Sequence, residues 1–385
     1  MITVVTEPSG KPSVQDALWH IVSSDESGTA GMQYVFDVYV NGDQKVRVKR
    51  LPDPETANGN FDAGPVVRQY ITYDWFRPEN KIYLRSPYPS GEIAIDYTVE
   101  YGEDVSGVIT TGMASGEVTA YNFRPPLFKR RVNDFTAKDN KFITNRPLYA
   151  NCSLDSGEML LLGVHSPTGV SAVINKYNYS NQLIAGNNTT TALQFDEYCQ
   201  LNISPAGING ELGSGFIDAT VKYYDVVIDE LSISFRVNVI CDREFTPVPL
   251  HFMNEYGMFD TARFALVSRL TMDVERKAFK QREYSFGASS VDYFDTYGVY
   301  RESKINYAQR SDWSYKLNMD APTDAEYEWL AELVNSPLIY AEIDGYFYPV
   351  TIKNTNYEYS KNVFNGLKVL EIDIELNQTR YSHAR

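Results

Sequence analysis

Residues 231–240 read Leu-Ser-Ile-Ser-Phe-Arg-Val-Asn-Val-Ile, which puts Leu231, Ile233, Phe235, Val237 and Val239 on one side of an extended chain and Ser232, Ser234, Arg236 and Asn238 on the other. Side chains alternate in this way only along a strand with one buried face, because a helix returns to the same face every 3.6 residues. The pattern recurs. Tyr34, Phe36, Val38 and Val40 share a face within 32–40, and Ile93, Ile95, Tyr97, Val99 and Tyr101 do so within 93–101. Near the end, Leu370, Ile372, Ile374 and Leu376 alternate with Glu371, Asp373 and Glu375. The chain is therefore expected to be mainly β.

Turn chemistry divides these strands. Asn41-Gly42-Asp43 follows the run at 32–40 and leads into Lys45–Val48, a hairpin signal, because Asn-Gly accepts positive φ at both turn positions. Further strands are read at 159–163, 170–174 and 221–228. One helix is expected at 323–335. Thr323 and Glu326 make a capping box, Tyr327, Leu330 and Val334 recur on one side with Trp329 and Leu333 beside them, and Asn335-Ser336-Pro337 stops it. Strands at 338–343, 346–352, 357–359 and 367–376 then surround a turn at Asp344-Gly345. A chain of 385 residues holds two or three domains at about 100–200 residues each. Three are expected: 1–120 and 121–245 as β-sandwiches of fibronectin-III or immunoglobulin type, and 246–385 as a β domain with helix 323–335. The basic, proline-bearing run 124–131 reads as a solvated linker or as an arm for an acidic neighbour.

The segment 249–264 is denser in turn chemistry and aromatics than anything around it. Gly257 can supply positive φ, Asp260 and Thr261 can bond local backbone, and Phe252, Tyr256, Phe259 and Phe264 can cover the turn. This suits a rigid corner between two β units. Its block Leu250, Asn254, Gly257, Asp260 and Phe264, of the form Leu-x3-Asn-x2-Gly-x2-Asp-x3-Phe, resembles one in structural proteins of phages that infect Bacteroidetes, most of which have no assigned role. The resemblance extends to 58–70 and to the stretch from Trp329 through Leu376, including the step at Pro337. It covers about half of the chain in patches, and no patch is a catalytic signature. The resemblance implies a tail or baseplate component, with Asn254, Gly257, Phe259, Asp260, Phe264, Trp329 and Pro337 as corner or interface residues. It also implies, by analogy of fold alone, that the last domain is similar to tube-forming tail proteins.

Composition bounds the partners. With 50 Asp and Glu against 35 Lys and Arg, the net charge of −15 argues against a protein that grips nucleic acid by its phosphates. The excess is concentrated in residues 1–120, which carry 17 acidic against 9 basic residues. An acidic lumen would let DNA slide through passively, although acidity also serves solubility. The 29 tyrosines suit both strands and protein contacts. Cys152, Cys199 and Cys241 are an odd number without close spacing, so buried thiols in a reducing cytoplasm are expected and a disulfide framework is not. Neither a leader segment nor a membrane span is read from the sequence.

No catalytic machinery is expected. His20, His165, His251 and His383 lack any partner at metal-ligand spacing and are read as surface residues, His165 in a turn before Pro167. Nucleophile-elbow, phosphate-loop and dinucleotide patterns are missing from the sequence. A carboxylate pair for glycoside cleavage could not be picked out among so many acids. Asn58-Gly-Asn-Phe-Asp62 could offer oxygens to calcium or simply turn the chain. The expectation is a non-enzymatic virion protein without cofactor, forming a ring, of six-fold symmetry as one arrangement, in a phage tail, baseplate or neck. Its partners would be copies of itself and other tail or neck proteins. The alternative is a carbohydrate-binding tail adhesin, with Trp75 or Tyr88 stacking on host glycans.

Overall fold

The computed structural model describes residues 1–72, 75, 79–85, 91–124, 142–154, 157–166, 170–184, 188–192, 197–228, 233–240, 245–294, 297–320, 323–353 and 369–381. They are mainly β, with strand pairings that include many antiparallel ones and a parallel pairing of Tyr149–Ser153 with Ile233–Ile240. Contacts group the chain into two compact units. The first holds Met1–Cys241, His251–Ala262 and Glu328–Leu338; the second holds Asp242–Leu250, Arg263–Tyr327 and Ile339–Arg385.

The first unit begins with the expected hairpin, Gln33–Val40 and Asp43–Arg50, turned by Asn41 at φ 51° and Gly42 at φ 81°. Two positive φ values in a two-residue loop match the right-handed twist of the flanking strands. Asp43–Arg50, Gln33–Val40, Ala94–Val105 and Val108–Ala114 lie side by side in that order, and Val118–Tyr121 also pairs with Ala94–Val105. Ile2–Thr6, Trp19–Ser24 and Gly59–Asp62 form a second sheet. One core draws on both. Tyr34, Phe36, Val38, Tyr97, Val99 and Tyr101 meet Val22 and Phe61, with the Phe36 and Phe61 rings stacked at 5.0 Å. The opposite face of Gln33–Val40 is covered too, and Asp37 is buried there because Arg47 grips it with Nε at 2.7 Å and Nη2 at 2.6 Å.

A second core in the same unit gathers Ile174, Val226, Ile228, Phe235 and Val237 with Leu162, Val164 and Leu201. Its five-stranded sheet runs Tyr149–Ser153, Ile233–Ile240, Val221–Ile228, Val170–Asn178, Asn188–Ala192, and a three-stranded sheet runs Leu161–Ser166, Glu197–Asn202, Tyr83–Arg85. The alternation in 233–240 buries Phe235 and Val237 as expected, and Leu231 and Ser232 lie outside the described residues. Helix Pro205–Leu212 was not anticipated. Its signal was nevertheless present: Ser204 accepts from the Gly207 N–H at 3.1 Å and Pro205 opens the first turn. Cys152 and Cys199 are buried thiols of this core, whereas Cys241 lies outside the described residues.

The histidine expectation is corrected. His165 is not in a surface turn but in strand Leu161–Ser166, buried, its ring stacked on Tyr198 at 4.4 Å; His20 and His251 are buried as well. A half-apolar ring fills a core position at small cost once its nitrogens find partners. His383 and Tyr88, together with 125–131 of the basic run, lie outside the described residues.

In the second unit, Ile339–Ile343, Tyr346–Ile352, Val369–Tyr381, Lys304–Asp320 and Arg269–Lys280 are hydrogen-bonded in that order. Asp344 at φ 52° and Gly345 at φ 76° turn the first pair. Leu370, Ile372 and Ile374 are buried and Glu371 opposite them is exposed, while the strand expected at 357–359 lies outside the described residues. Helix Asp324–Asn335 has its capping box in place. Glu326 N–H donates to Thr323 Oγ1 at 3.1 Å, and Thr323 N–H and Oγ1–H donate to Glu326 Oε2 at 3.3 and 2.9 Å.

Candidate functional site

The segment 251–261 forms a buried joint within the first unit. Asn254 builds the turn: its Oδ1 accepts from the N–H groups of Tyr256 at 3.0 Å and Met258 at 3.1 Å, while its Nδ2 donates to the Ile143 carbonyl at 2.8 Å. Gly257 sits at φ 81°, and a Cβ there would lie 2.7 Å from the Asn122 carbonyl oxygen. Both facts exclude a larger residue without strain. Phe259 is stitched to Gln200, whose Nε2 donates to its carbonyl at 2.9 Å and whose Oε1 accepts its N–H at 3.0 Å.

Asp260 is wholly buried, and its Oδ2 accepts from Thr144 Oγ1 at 2.5 Å and from the Trp329 indole N–H at 2.9 Å. Burial pushes its carboxyl above the usual range, and those two hydrogen bonds with the nearby Arg146 charge pull it part of the way back. Arg146 lies over the Trp329 ring at 4.8 Å and donates to the Thr261 carbonyl at 2.9 Å. Thr261 Oγ1 in turn accepts from Leu161 N–H at 2.9 Å and meets His251 Nδ1 at 2.9 Å.

A second carboxylate, Glu332, was not singled out from the sequence. It lies on the buried side of helix Asp324–Asn335, accepting from Asn145 Nδ2 at 2.7 Å and from the Glu255 N–H at 3.1 Å. Burial, with the negative charges of Glu255 and Asp260 nearby, raises its pKa to about 8, so it carries a proton at neutral pH. A signal existed: position 332 falls three residues after Trp329 and beside Leu333, inside the apolar stripe. Asp260 and Glu332 therefore hold chain segments together from a buried position. Their chemistry is that of a joint that ties 144–146, 255, 260–261 and 329–332.

The sequence-derived corner residues separate into groups. Asn254, Gly257, Phe259, Asp260 and Trp329 meet in this joint; Phe264 is buried in the second unit; Pro337 is exposed in the bend after the helix. Trp75 is not the exposed platform that glycan stacking would require. It packs edge-on against Phe259 at 5.0 Å and beside His251 at 5.8 Å. Asp62 spends its Oδ1 on the N–H groups of Leu18 and Gly64, at 2.8 and 2.9 Å, so the 58–62 turn has a structural use for the oxygen considered for calcium. Among the described residues no cluster of His, Cys, Asp and Glu has metal-binding geometry, and no helix is long and apolar enough to cross a membrane.

The second unit carries a feature that sequence reading missed. Strands Arg269–Lys280 and Lys304–Asp320 pair along their length into an arm whose outer strand is exposed on both faces. Beyond them, Tyr284, Phe286, Tyr293, Phe294, Tyr297 and Tyr300 crowd the end, with Tyr297 89% and Tyr300 72% exposed. Such a concentration of aromatics in solvent is the usual mark of a protein contact surface. No family model matches the chain, and no curated protein matches it.

Proposed function

We propose that this chain is a non-enzymatic virion structural protein of a bacteriophage, a ring or adaptor component of the tail, baseplate or neck that works by self-association and by contacts with other virion proteins. The observation that carries the assembly reading is the arm at 269–320 with its exposed aromatic end, which offers surface of interface composition. The phage assignment rests on the resemblance of the 250–264 block. The proposed architecture follows: residues 1–120 are a β-sandwich, supported by the core shared between two sheets, and 121–245 a second one, supported by a separate core that also takes in Ile82 and strand Tyr83–Arg85 from the preceding segment. Residues 246–385 are a tail-tube-like domain that closes the ring. DNA passes such a ring without sequence-specific contact, and the protein reaches its place by assembly in the bacterial cytoplasm. Electron microscopy of the purified full chain tests this. Closed rings are expected, and dispersed single molecules that hydrolyse a host polysaccharide would contradict it.

A further inference from the structure

We propose that the arm at 269–320 docks on the acidic surface of a second copy of this chain, with the cationic outer half and open edge of strand Arg269–Lys280 against the neighbour's carboxylates. The inference rests on the assembly reading above and names the partner of the arm.

Three observations point the same way. First, the outer half of the arm is a two-stranded ribbon: from Glu275 to Lys280 every residue is exposed, and so are most residues of the facing 304–310 segment. A ribbon with neither face covered is marginally stable in water, so its order is completed by whatever lies on it. Second, Arg269–Lys280 is the last strand of its sheet among the described residues, so one row of N–H and C=O groups faces outward. Natural proteins blunt or cover such an edge. Third, the charge there runs against the rest of the chain. Residues 269–282 carry Arg269, Arg276, Lys277, Lys280 and Arg282 against two carboxylates, in a protein of net charge −15.

The complementary surface lies in the same molecule. Residues 1–120 hold 17 acidic against 9 basic residues, with Glu7, Glu26 and Glu55 among the exposed ones. Charge of opposite sign on two parts of one chain favours head-to-tail contact between copies and disfavours like-on-like contact. The two-stranded outer half is about 20 Å long and about 10 Å wide, so its two faces offer about 400 Å², and the exposed aromatics at 284–300 extend this toward the scale of a specific interface.

The test uses the full chain. Its sedimentation is measured over a concentration series at low and high salt, beside the triple variant Lys277→Glu, Lys280→Glu, Arg282→Glu. These side chains are exposed, so the variant should melt with the wild type, and thermal melting checks that. A zero-length carboxyl-to-amine cross-link between differently isotope-labelled chains then locates the contact. Expected are salt-sensitive self-association, a weakening of about tenfold in the variant, and cross-links from Lys277 or Lys280 to carboxylates of residues 1–120 in another chain. Wild type that stays monomeric throughout, or that binds a DNA duplex through the arm instead, overturns the proposal. So does a variant that self-associates as tightly as wild type, although that result leaves the assembly reading standing. Absence of the chain from particles would defeat the reading itself.

Discussion

The Trp329 indole N–H donates to the buried Oδ2 of Asp260 at 2.9 Å, joining residues 69 positions apart in the chain. Asp260 shares that oxygen with Thr144, so one carboxylate pins three segments. Trp329→Phe keeps most of the apolar volume but removes one of the two donors. The expected cost is about 1–3 kcal/mol, the price of under-satisfying a buried acceptor. The loss should be larger where the carboxylate is ionised than where it is protonated, because the donor favours the ionised form. Urea unfolding over a pH series measures it, and equal stability of variant and wild type throughout would exclude the role given to Trp329.

Glu332 gives a pH dependence of unusual sign. Its folded pKa of about 8 exceeds the ordinary 4.5, so the native state binds more protons than the unfolded state between those values. Stability from this group is complete below pH 4.5 and is lost as pH rises through 8, by up to about 1.4 kcal/mol per pH unit. Glu332→Gln, with its Oε1 still accepting from Asn145 Nδ2, removes the titration. The variant should lose the decline between pH 6.5 and 8 and be the more stable protein at pH 8. A wild-type profile that is flat across this window would contradict the assignment.

His20 acts in the other direction. Its Nδ1 meets Tyr101 Oη at 2.8 Å and its Nε2 meets Tyr97 Oη at 3.3 Å, and burial lowers its pKa to about 4, with Asp62 opposing slightly. The unfolded state now binds more protons between pH 4 and 6.5. Stability is complete above 6.5 and is lost as pH falls through 4, up to about 3 kcal/mol in all. His20→Gln should flatten the acid limb in that range. Between 4.5 and 6.5 the His20 and Glu332 effects oppose, so the Glu332 slope is read above 6.5.

Much of this could be read in advance wherever a strand had one wet face. The hairpin at 33–50 was legible because Asn41-Gly42 and the Tyr34, Phe36, Val38, Val40 face agree, and helix 323–335 because its capping box and apolar stripe agree. His20 was legible in principle, since it alternates with Leu18 and Val22, both buried. The arm was not. Period-two patterning records burial of one face, and Arg269–Lys280 is buried on neither, so its sequence mixes cations, acids and apolar residues without a period. The joint escaped for a different reason. Thr144, Asn145 and Arg146 belong to no regular element, and only the tertiary fold brings them to Asp260 and Glu332.

Gly257→Val tests the turn. A β-branched side chain at φ 81°, with its Cβ driven to 2.7 Å from the Asn122 carbonyl, is expected to cost on the order of 1–3 kcal/mol. Calorimetry of the variant decides it. Unchanged melting would mean that the turn yields without cost.

The most direct test of the account is the copy number of this chain in purified particles of a phage that encodes it, measured by quantitative mass spectrometry against a capsid protein of known symmetry. The account predicts that the chain is a stoichiometric component, present in a fixed multiple consistent with a ring and cross-linked to copies of itself. Its absence from particles, or turnover of a host polysaccharide that one Asp or Glu substitution abolishes, would contradict it.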